Sequence, residues 1–334
     1  MKSLHSKQKN KPVWLVILFD VLLVGVTLIL YALVHHVIPS YKERFSEHET
    51  VAPIATAVIS TPAPEATPEP EIPWKEKFAD KFTDEVVRTA DSYKSPNVSV
   101  EIIETIDGML NDPERQVYYV ADIYIADIEC FQTSYFGGAF GTSCNYIGNI
   151  AEDCDAVVAV NGDFSSTASG GYIIRNGNLY RNSYIDAEIC VLYRDGTMKT
   201  YLPEEFDAQE ALENGAWQAW TFGPSLLDEN GAAKTSFSQS YGTILSTNPR
   251  TVLGYYEPGH YCFVVIEGRD PGFALGYNMN ETAELMEKLG CKVAFNLDGG
   301  DSSKMILGVV PVTSAKSMIR DINDIVCIVD AKED

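Results

Sequence analysis

The stretch QVYYVADIYI at 116–125 decides the fold, because it is short and rich in Val, Ile and Tyr in the manner of a β-strand. Nine further segments of this kind occur from residue 98 onward: VSVEII, AVVAV, GYIIRNG, AEICVLY, TVLGYY, YCFVVIEG, KVAFNL, SKMILG and DIVCIV. Asn176-Gly177 and Asp195-Gly196 add signals for hairpins or turns. The pattern predicts a domain built mostly from strands.

Two helices are predicted beside these strands. One covers about 75–90, where four apolar residues lie on or near one face, and the other covers 281–289. For the second helix, Asn280 is the expected N-cap and Gly290 the expected stop. The predicted fold class is α+β: a single mixed, β-rich domain with few helices, covering about 95–332.

The composition limits the partners of this domain. The chain has 334 residues and is 46% hydrophobic, enough for a sizeable core. It carries 47 acidic and 25 basic residues, a net charge of −22, which argues against nucleic acid or another polyanion as a partner of the general surface. A local basic pocket is still able to hold one phosphate.

An apolar run from Val13 to about Val37 is long enough to cross a bilayer core of roughly 30 Å as a helix. Asp20 costs about 2.5–3.5 kcal/mol on the insertion scale, but the many apolar residues return roughly 0.3–0.6 kcal/mol each. The alternative is a cleaved signal peptide, whose apolar region is usually only about 7–15 residues long. We expect an uncleaved anchor with the four lysines of 1–12 in the cytoplasm.

The predicted localisation is therefore the cell membrane, single-pass, with the N-terminus cytoplasmic and the folded domain extracellular. The predicted order of segments is a basic tail at 1–12, a transmembrane anchor at 13–38, an extended linker rich in Pro, Ala, Thr and Glu at 39–74, a helical lead-in at 75–94 and the β-rich domain at 95–332. The chain has seven widely spaced cysteines. They form neither a CxxC motif nor the Cys/His cluster that is typical of a zinc site. Most are expected to be small buried hydrophobes, and a bridge from Cys144 to Cys130 or Cys154 is left open.

The candidate functional residues lie where predicted strands end. In KVAFNLDGGDSSKM (292–305), Asp298 follows a buried strand, and the two glycines after it allow backbone amides to face a ligand. A capped turn, in which Asp298 bonds its own loop, explains the pattern equally well.

Two further motifs have both a functional and a structural interpretation. In AVNGDF, Asn161 and Asp163 suit either a functional site or the ordinary hydrogen bonding of a turn. Arg250 in NPRTVLG suits a phosphate or carboxylate grip, with a surface ion pair as the alternative.

Arg269 in EGRD has the same two interpretations as Arg250. Glu267 stands two residues before it, and an internal salt bridge is its simplest role.

The chain resembles the phosphodiester glycosidase family over roughly 95–330. The resemblance rests on six motifs in this order: NGDF, FGPSLL, NPRTVLG, FVVIEGR, GYNMNETAELMEKLG and NLDGGDSSKM. That family includes the lysosomal uncovering enzyme and bacterial proteins described as exopolysaccharide-related. Its usual pattern has Gly where Asp301 stands, and often Gly at 163 and Asp at 267.

The resemblance implies hydrolysis of a sugar-1-phosphodiester to free sugar and a phosphomonoester. It implies a phosphate clamp of Arg250 and Arg269, with Asp298 as nucleophile or electrostatic stabiliser and Glu267 or Asp163 as the water-activating partner. A carboxyl separation of about 5–5.5 Å would give retention and about 6.5–9.5 Å inversion. The remaining site residues would bind phosphate or sugar, either through side chains or through backbone amides: Ser302, Ser303, Asn161, Asn296, Gly299, Gly300 and Asp301.

No cofactor is required by this chemistry, although the oxygen-rich set of side chains suits Ca²⁺ or Mg²⁺. The predicted partners are a glycan or sugar-phosphate substrate and a membrane, with no nucleic acid. The extra charge of Asp301 motivates a second hypothesis, a non-catalytic glycan-binding or polysaccharide-export accessory protein. A third, a purely structural stalk tip, requires that Asp298 and Arg250 do not converge.

Overall fold

The computed structural model describes residues 72–141, 143–165, 170–237 and 246–330. The predicted basic tail, the predicted anchor and almost all of the predicted linker lie outside the described residues. Within the described ranges, no helix is long and apolar enough to cross a membrane.

Seventeen strands form in the described residues, and each is short enough to be a single run between turns. They are β1 Val87–Arg88, β2 Ser92–Lys94, β3 Val98–Asp107, β4 Gln116–Ile125, β5 Phe131–Tyr135, β6 Ala156–Asn161, β7 Gly171–Arg175, β8 Asn178–Ser183, β9 Ile189–Tyr193, β10 Met198–Tyr201, β11 Ala216–Thr221, β12 Arg250–Glu257, β13 His260–Ile266, β14 Val293–Asn296, β15 Met305–Leu307, β16 Val310–Pro311 and β17 Asp324–Val329. Four α-helices accompany them: α1 Trp74–Lys77, α2 Ile147–Asp153, α3 Ala208–Glu213 and α4 Met279–Lys288.

The strands form three antiparallel sheets. The first has the order β1-β2-β3-β4-β13-β12-β14, the second β10-β9-β11-β7-β8, and the third β16-β15-β6-β17-β5. In the third sheet β6 lies between β15 and β17, which follow it in sequence by well over a hundred residues. Residues distant in the chain are therefore neighbours in each sheet.

One central core is shared by all three sheets. On β13, Tyr261, Phe263 and Val265 point into this core and are fully buried. They meet Trp220 of the second sheet and Val160 of the third. Alternate residues of β13 face the other way and are also buried, which explains the continuous apolar run of its sequence.

A helix covers the outer face of each sheet. Met279, Ala283 and Met286 of α4 pack on the outward residues of β12 and β13. In the same way, α2 packs on the third sheet and α3 on the second. The α4 helix opens with a capping box in which Asn278 and Glu281 exchange hydrogen bonds, so the N-cap is Asn278 and the prediction of Asn280 is wrong.

All ten quoted segments contain a strand, and Asn176-Gly177 closes the β7–β8 hairpin with positive φ at both residues. The helical lead-in predicted over 75–94 is wrong. Only Trp74–Lys77 is helical there, and Val87–Arg88 and Ser92–Lys94 join the edge of the first sheet instead. The short helix presses Trp74 against Gly196 and Gly259, so tertiary packing overrides the local helical pattern.

Candidate functional site

Asn161, at the end of β6, joins the first and third sheets. Its Oδ1 atom accepts hydrogen bonds from the Thr251 hydroxyl at 2.7 Å and from the Lys304 amide at 3.2 Å. Its Nδ2 atom donates to the carbonyl oxygen of Asp298 at 2.7 Å. One buried amide thus holds three motifs together: the NGD turn, the NPRT strand and the LDGGDSSK loop. Asn161 therefore organises the loops, and its predicted role as a substrate ligand stays a prediction.

A small cavity of about 60 Å³ lies beside this amide. The described residues that line it are Cys144, Asn161, Gly162, Phe164, Asp298, Ser302, Arg320, Asp321, Ile322, Asn323 and Asp324. Asp298 comes from the loop after β14, and Asp324 opens β17. The cavity is therefore formed where β14 ends, β6 ends and β17 begins.

Asp298 is mostly buried, and this burial raises the pKa of its carboxyl group. A hydrogen bond with Ser302 and the positive charge of Arg320 act in the opposite direction, while the charge of Asp163 raises the pKa further. Arg320 itself is exposed and extends beside the Phe164 ring, with its guanidinium carbon 5.8 Å from the ring centre. A carboxyl group and an accessible guanidinium thus border the same cavity.

Asp163 is held in a buried ion pair. Its Oδ1 atom lies 2.7 Å from Nη2 of Arg175, and its Oδ2 atom accepts a hydrogen bond from the Thr221 amide at 3.1 Å. Both Asp163 and Arg175 have side chains about 1% exposed. Because Arg175 lies on β7 and Thr221 ends β11, Asp163 connects the third sheet to the second.

Asp324 shares the same arginine. Its Oδ2 atom is 3.7 Å from Nη2 of Arg175 and accepts a hydrogen bond from the Ser165 hydroxyl at 3.0 Å. Burial, with the charge of Asp163, raises the pKa of Asp324 to about 7 against the opposing effect of Arg175. Asp324 is therefore able to hold or release a proton near neutral pH.

Gly162 is required by this arrangement. A Cβ atom at this position would lie 2.5 Å from the Cγ atom of Asp324, much closer than any normal contact. The Gly162 amide also donates to the carbonyl oxygen of Asp324 at 3.0 Å. The missing side chain lets the Asp324 carboxyl group pack directly on the backbone of the NGD turn.

Lys304 fixes the segment that carries Arg320. It is fully buried, and its Nζ atom donates to the carbonyl oxygen of Arg320. Burial and the charge of Arg320 lower the pKa of Lys304 to about 8. This lysine therefore ties the chain before β17 to the LDGGDSSK loop, on which Asp298 lies.

Arg250 and Arg269 form a second group, on the far side of the Gly299-Gly300 turn. Nε of Arg269 donates to Oδ1 of Asn248 at 2.8 Å, and Nε of Arg250 donates to the Tyr277 carbonyl at 3.1 Å. Asn248 and Arg250 both donate to the Ser246 carbonyl, so the two arginines share one local network. Burial and the charge of Arg269 lower the pKa of Arg250 to about 10.

Gly300 allows the arginine pair to approach the loop. Its amide donates to the Pro249 carbonyl at 2.9 Å, and its φ angle is positive. A Cβ atom here would be 2.9 Å from Nη1 of Arg269. Asp301, one residue further on, lies 3.5 Å from the same Nη1 atom and is itself 71% exposed. The residue that departs from the family pattern therefore pairs with one of the two predicted phosphate ligands.

Glu267 directly follows β13 and bonds to the 314–317 loop. Its carboxylate accepts hydrogen bonds from the Ser314 amide at 2.6 Å, the Ser314 hydroxyl at 3.1 Å and the Ser317 hydroxyl at 2.7 Å. The described residues lining the cavity do not include it. Glu267 is thus positioned to hold the 314–317 loop, and its predicted role in activating water stays a prediction.

Asn296 and Ser303 bring unpaired polar atoms to the region. Asn296 donates from Nδ2 to the Gly223 carbonyl at 2.8 Å, beside a cis Gly223-Pro224 bond. Within the part of the chain that the structure describes, its Oδ1 atom and the Ser303 hydroxyl are buried without a hydrogen-bond partner. Buried polar atoms of this kind call for a water molecule or ligand.

The structure thus brings Asp298, Asp163, Asn161 and Ser302 together, and places Arg269 against Gly300 of the same loop. Sequence reasoning missed Arg175, Arg320 and Asp324. Asp324 had the same signal as Asp298, an acid at the boundary of an apolar strand, but at the start of the strand. Over the described ranges, no group of three His, Cys, Asp or Glu side chains is arranged to hold a metal ion.

Asp298 and Asp324 thus border one cavity together with the exposed Arg320. The chain belongs to the phosphodiester glycosidase family, whose model matches residues 155–329, just over half of the sequence. The family assigned from the ordered motifs is thereby confirmed.

The chain is also similar to one protein of known sequence and to one solved structure. The chain is 31% identical over 178 residues to the SPbeta prophage-derived uncharacterized protein YomE of Bacillus subtilis (strain 168), covering 52% of this chain and 27% of that protein. It therefore spans about a quarter of that relative's length. It is also similar to the catalytic domain of zebrafish N-acetylglucosamine-1-phosphodiester alpha-N-acetylglucosaminidase, auto-inhibited by its pro-peptide. That match has a TM-score of 0.57 and 20% identity, covers 74% of this chain and 88% of the other, and establishes a shared fold.

Proposed function

We propose that this domain hydrolyses sugar-1-phosphodiesters of glycans or envelope polymers, releasing free sugar and a phosphomonoester. The observation that carries the proposal is the placement of Asp298, Asp324 and Arg320 around one cavity. Both carboxyl groups have raised pKa values, a property found often in catalytic acids and bases.

The guanidinium groups supply charge for the departing phosphate. Arg320 is the exposed one at the cavity, so it binds the phosphate oxygens nearest the reacting bond. Arg250 and Arg269 lie across the Gly299-Gly300 turn and bind the remainder of the phosphodiester. Departure of a phosphate needs less protonation than departure of an alcohol, so this positive charge does much of the work of a general acid.

Asp298 acts on the sugar. The anomeric carbon gains positive charge in the transition state, and the adjacent carboxylate either attacks it or stabilises it. Asp324, with its pKa near 7, is the partner that exchanges a proton with the attacking water. Asp163 is not free for this task because Arg175 and the Thr221 amide hold both of its oxygens.

The cavity has room for a few water molecules, not for a whole sugar with its aglycone. Only the reacting end of the substrate enters it, and the rest of the polymer lies outside. This arrangement suits an enzyme that acts on an exposed phosphodiester of a larger glycan. No step requires a divalent ion, so we expect activity to survive EDTA.

The test is turnover of aryl and alkyl sugar-1-phosphodiesters by the full chain. We expect Asp298→Asn, Arg320→Met and Arg250→Met each to reduce kcat/KM by about 100-fold or more. Asp84→Asn and Arg194→Met change exposed residues of the same types and should leave kcat/KM unaltered. Full turnover in both Asp298→Asn and Arg320→Met would refute the assigned roles.

A second candidate function is a non-catalytic glycan-binding or polysaccharide-export accessory protein. It is favoured by Asp301, whose carboxylate pairs with Arg269 and removes part of the charge available to a phosphate. Under this alternative the wild-type chain binds glycans without cleaving them. Asp301→Gly, which restores the usual family residue, would then create activity; under the first proposal it only lowers KM.

We further propose that 13–38 anchors the domain on the outer face of the cell membrane. The support is the length of the apolar run and the lysines that precede it. The protein should stay in the membrane pellet after alkaline carbonate extraction, and protease added to intact cells should digest the domain. Release into the soluble fraction would contradict the anchor.

A further inference from the structure

Cys262 and Cys291 meet inside the first sheet. Cys262 lies on β13, and Cys291 follows α4, just before β14. The strand between them is β12, where Gly254 pairs with Cys262 on one side and with Ala294 on the other. The two Sγ atoms are 3.7 Å apart, and both side chains are almost completely buried.

The glycine at 254 makes this contact possible. A Cβ atom added there would lie 2.4 Å from Sγ of Cys262 and 2.9 Å from Sγ of Cys291. The two sulfur atoms therefore occupy the space in which any other residue would place its side chain. They approach each other over the bare backbone of β12 at Gly254.

We propose that Cys262 and Cys291 form a disulfide when the chain folds in the presence of a low-molecular-weight disulfide such as oxidised glutathione. The thiolate of Cys291 attacks one sulfur of the small disulfide and expels one small thiolate, which takes up a proton. The Cys262 thiolate then attacks Sγ of Cys291, expels the second small thiolate and closes the bond. Two electrons pass to the small disulfide, which leaves as two thiols.

The exchange occurs before the sheet closes. In the folded protein, the contact with Cys291 together with burial raises the pKa of Cys262 well above its usual value, which keeps this thiol protonated. The 3.7 Å gap must close to the roughly 2.05 Å of a disulfide, so the two sulfur atoms have to move towards each other as the bond forms. The segment enclosed by the bond contains Glu267, Arg269 and all of α4.

This inference does not depend on the proposed function. It also concerns a different pair from the two bridges left open by the sequence, both of which involve Cys144. In the structure Cys144 is exposed, whereas Cys130 is fully buried. A second pair, Cys154 and Cys327, lies in one apolar cluster on the third sheet and is the natural competitor for oxidation. Peptide mapping distinguishes the two pairs.

The test refolds the full chain with a mixture of reduced and oxidised glutathione, followed by denaturation and labelling with N-ethylmaleimide. We expect five labels on the seven cysteines, and a non-reduced peptide that links Cys262 to Cys291. The oxidised protein should melt about 5–10 °C above the reduced protein, because the bond closes a long loop. Cys262→Ala should abolish that difference, whereas Cys190→Ala, which changes an equally buried thiol elsewhere, should keep it.

Seven labels after oxidative refolding would overturn the proposal. So would a linked peptide that joins Cys154 to Cys327 in place of the pair over Gly254. Since both readouts are made on the wild-type chain, a failure of either alanine variant to fold does not remove the test.

Discussion

Asp324 couples protonation to folding at the scale of a single residue. Its pKa is about 7 in the folded chain and about 3.9 in an unfolded one, so the folded state binds the proton more tightly. Its contribution to stability is therefore complete below about pH 4 and is lost as the pH rises towards 7. We expect the unfolding free energy to fall between pH 4 and pH 7 by about 3 kcal/mol through this residue.

The check is urea denaturation at several pH values. Asp324→Asn, which cannot ionise, should flatten the profile between about pH 4 and pH 7, whereas the exposed Asp84→Asn should not. An unchanged slope in Asp324→Asn would show that Asp324 titrates normally in the folded protein.

Gly162→Ala tests the contact beneath that carboxyl group. The new methyl group would overlap Asp324, so we expect a loss of about 1–3 kcal/mol in unfolding free energy together with loss of turnover. Gly290→Ala introduces strain at a positive φ angle in open space, far from the site, and should cost about 1 kcal/mol without lowering kcat. Equal kcat values for the two variants would contradict the role of Gly162.

At the scale of an element, two asparagines near the start of α4 have different roles, because only Asn278 caps the helix. Asn278→Ala removes the capping box and should cost about 1 kcal/mol in unfolding free energy. Asn280→Ala changes the same residue type two positions later, where Oδ1 has no hydrogen-bond partner among the described residues, and should change stability by less than about 0.5 kcal/mol. A larger loss of unfolding free energy in Asn280→Ala than in Asn278→Ala would instead support the N-cap predicted from the sequence.

Elements with a strong local signal could be predicted from the sequence. The β4 strand occupies the quoted stretch from Gln116 to Ile125, and the Asn176-Gly177 turn has the backbone angles that its residues favour. The predicted helix at 75–90 failed because its apolar residues are used for contacts with distant glycines and a sheet edge. Such contacts leave no trace in the periodicity of the segment itself.

At the scale of the whole molecule, Arg175 links two sheets through buried acids. Arg175→Met would leave Asp163 charged and unpaired in the interior, so we expect a loss of about 3–5 kcal/mol in unfolding free energy. Arg194→Met removes an exposed contact with Glu129 at 3.9 Å and a cation–π contact with Trp217 at 4.3 Å, and should cost no more than about 1–2 kcal/mol. Chemical denaturation of both variants measures the difference, and similar losses would contradict the linking role.

The candidate site could be predicted only in part. Asp298, Asp163 and Asn161 lie in turns whose composition is unusual enough to be noticed locally. Arg320 and Asp324 have no such motif around them, because their position depends on the pairing of β17 with β6. Asp301 was recognised as an added charge, but its ion pair with Arg269 follows from how two loops meet, which spacing does not reveal.

The order of strands in the third sheet has a consequence for biosynthesis. During translation β6 leaves the ribosome long before β15 and β17, the two strands that flank it. Its residues from Ala156 to Val160 are apolar and end up completely covered. Until both flanking strands arrive, this segment has two unsatisfied edges and is prone to self-association. The nascent chain should therefore depend on a holding chaperone, and the cavity beside Asn161 cannot exist on any partly synthesised intermediate.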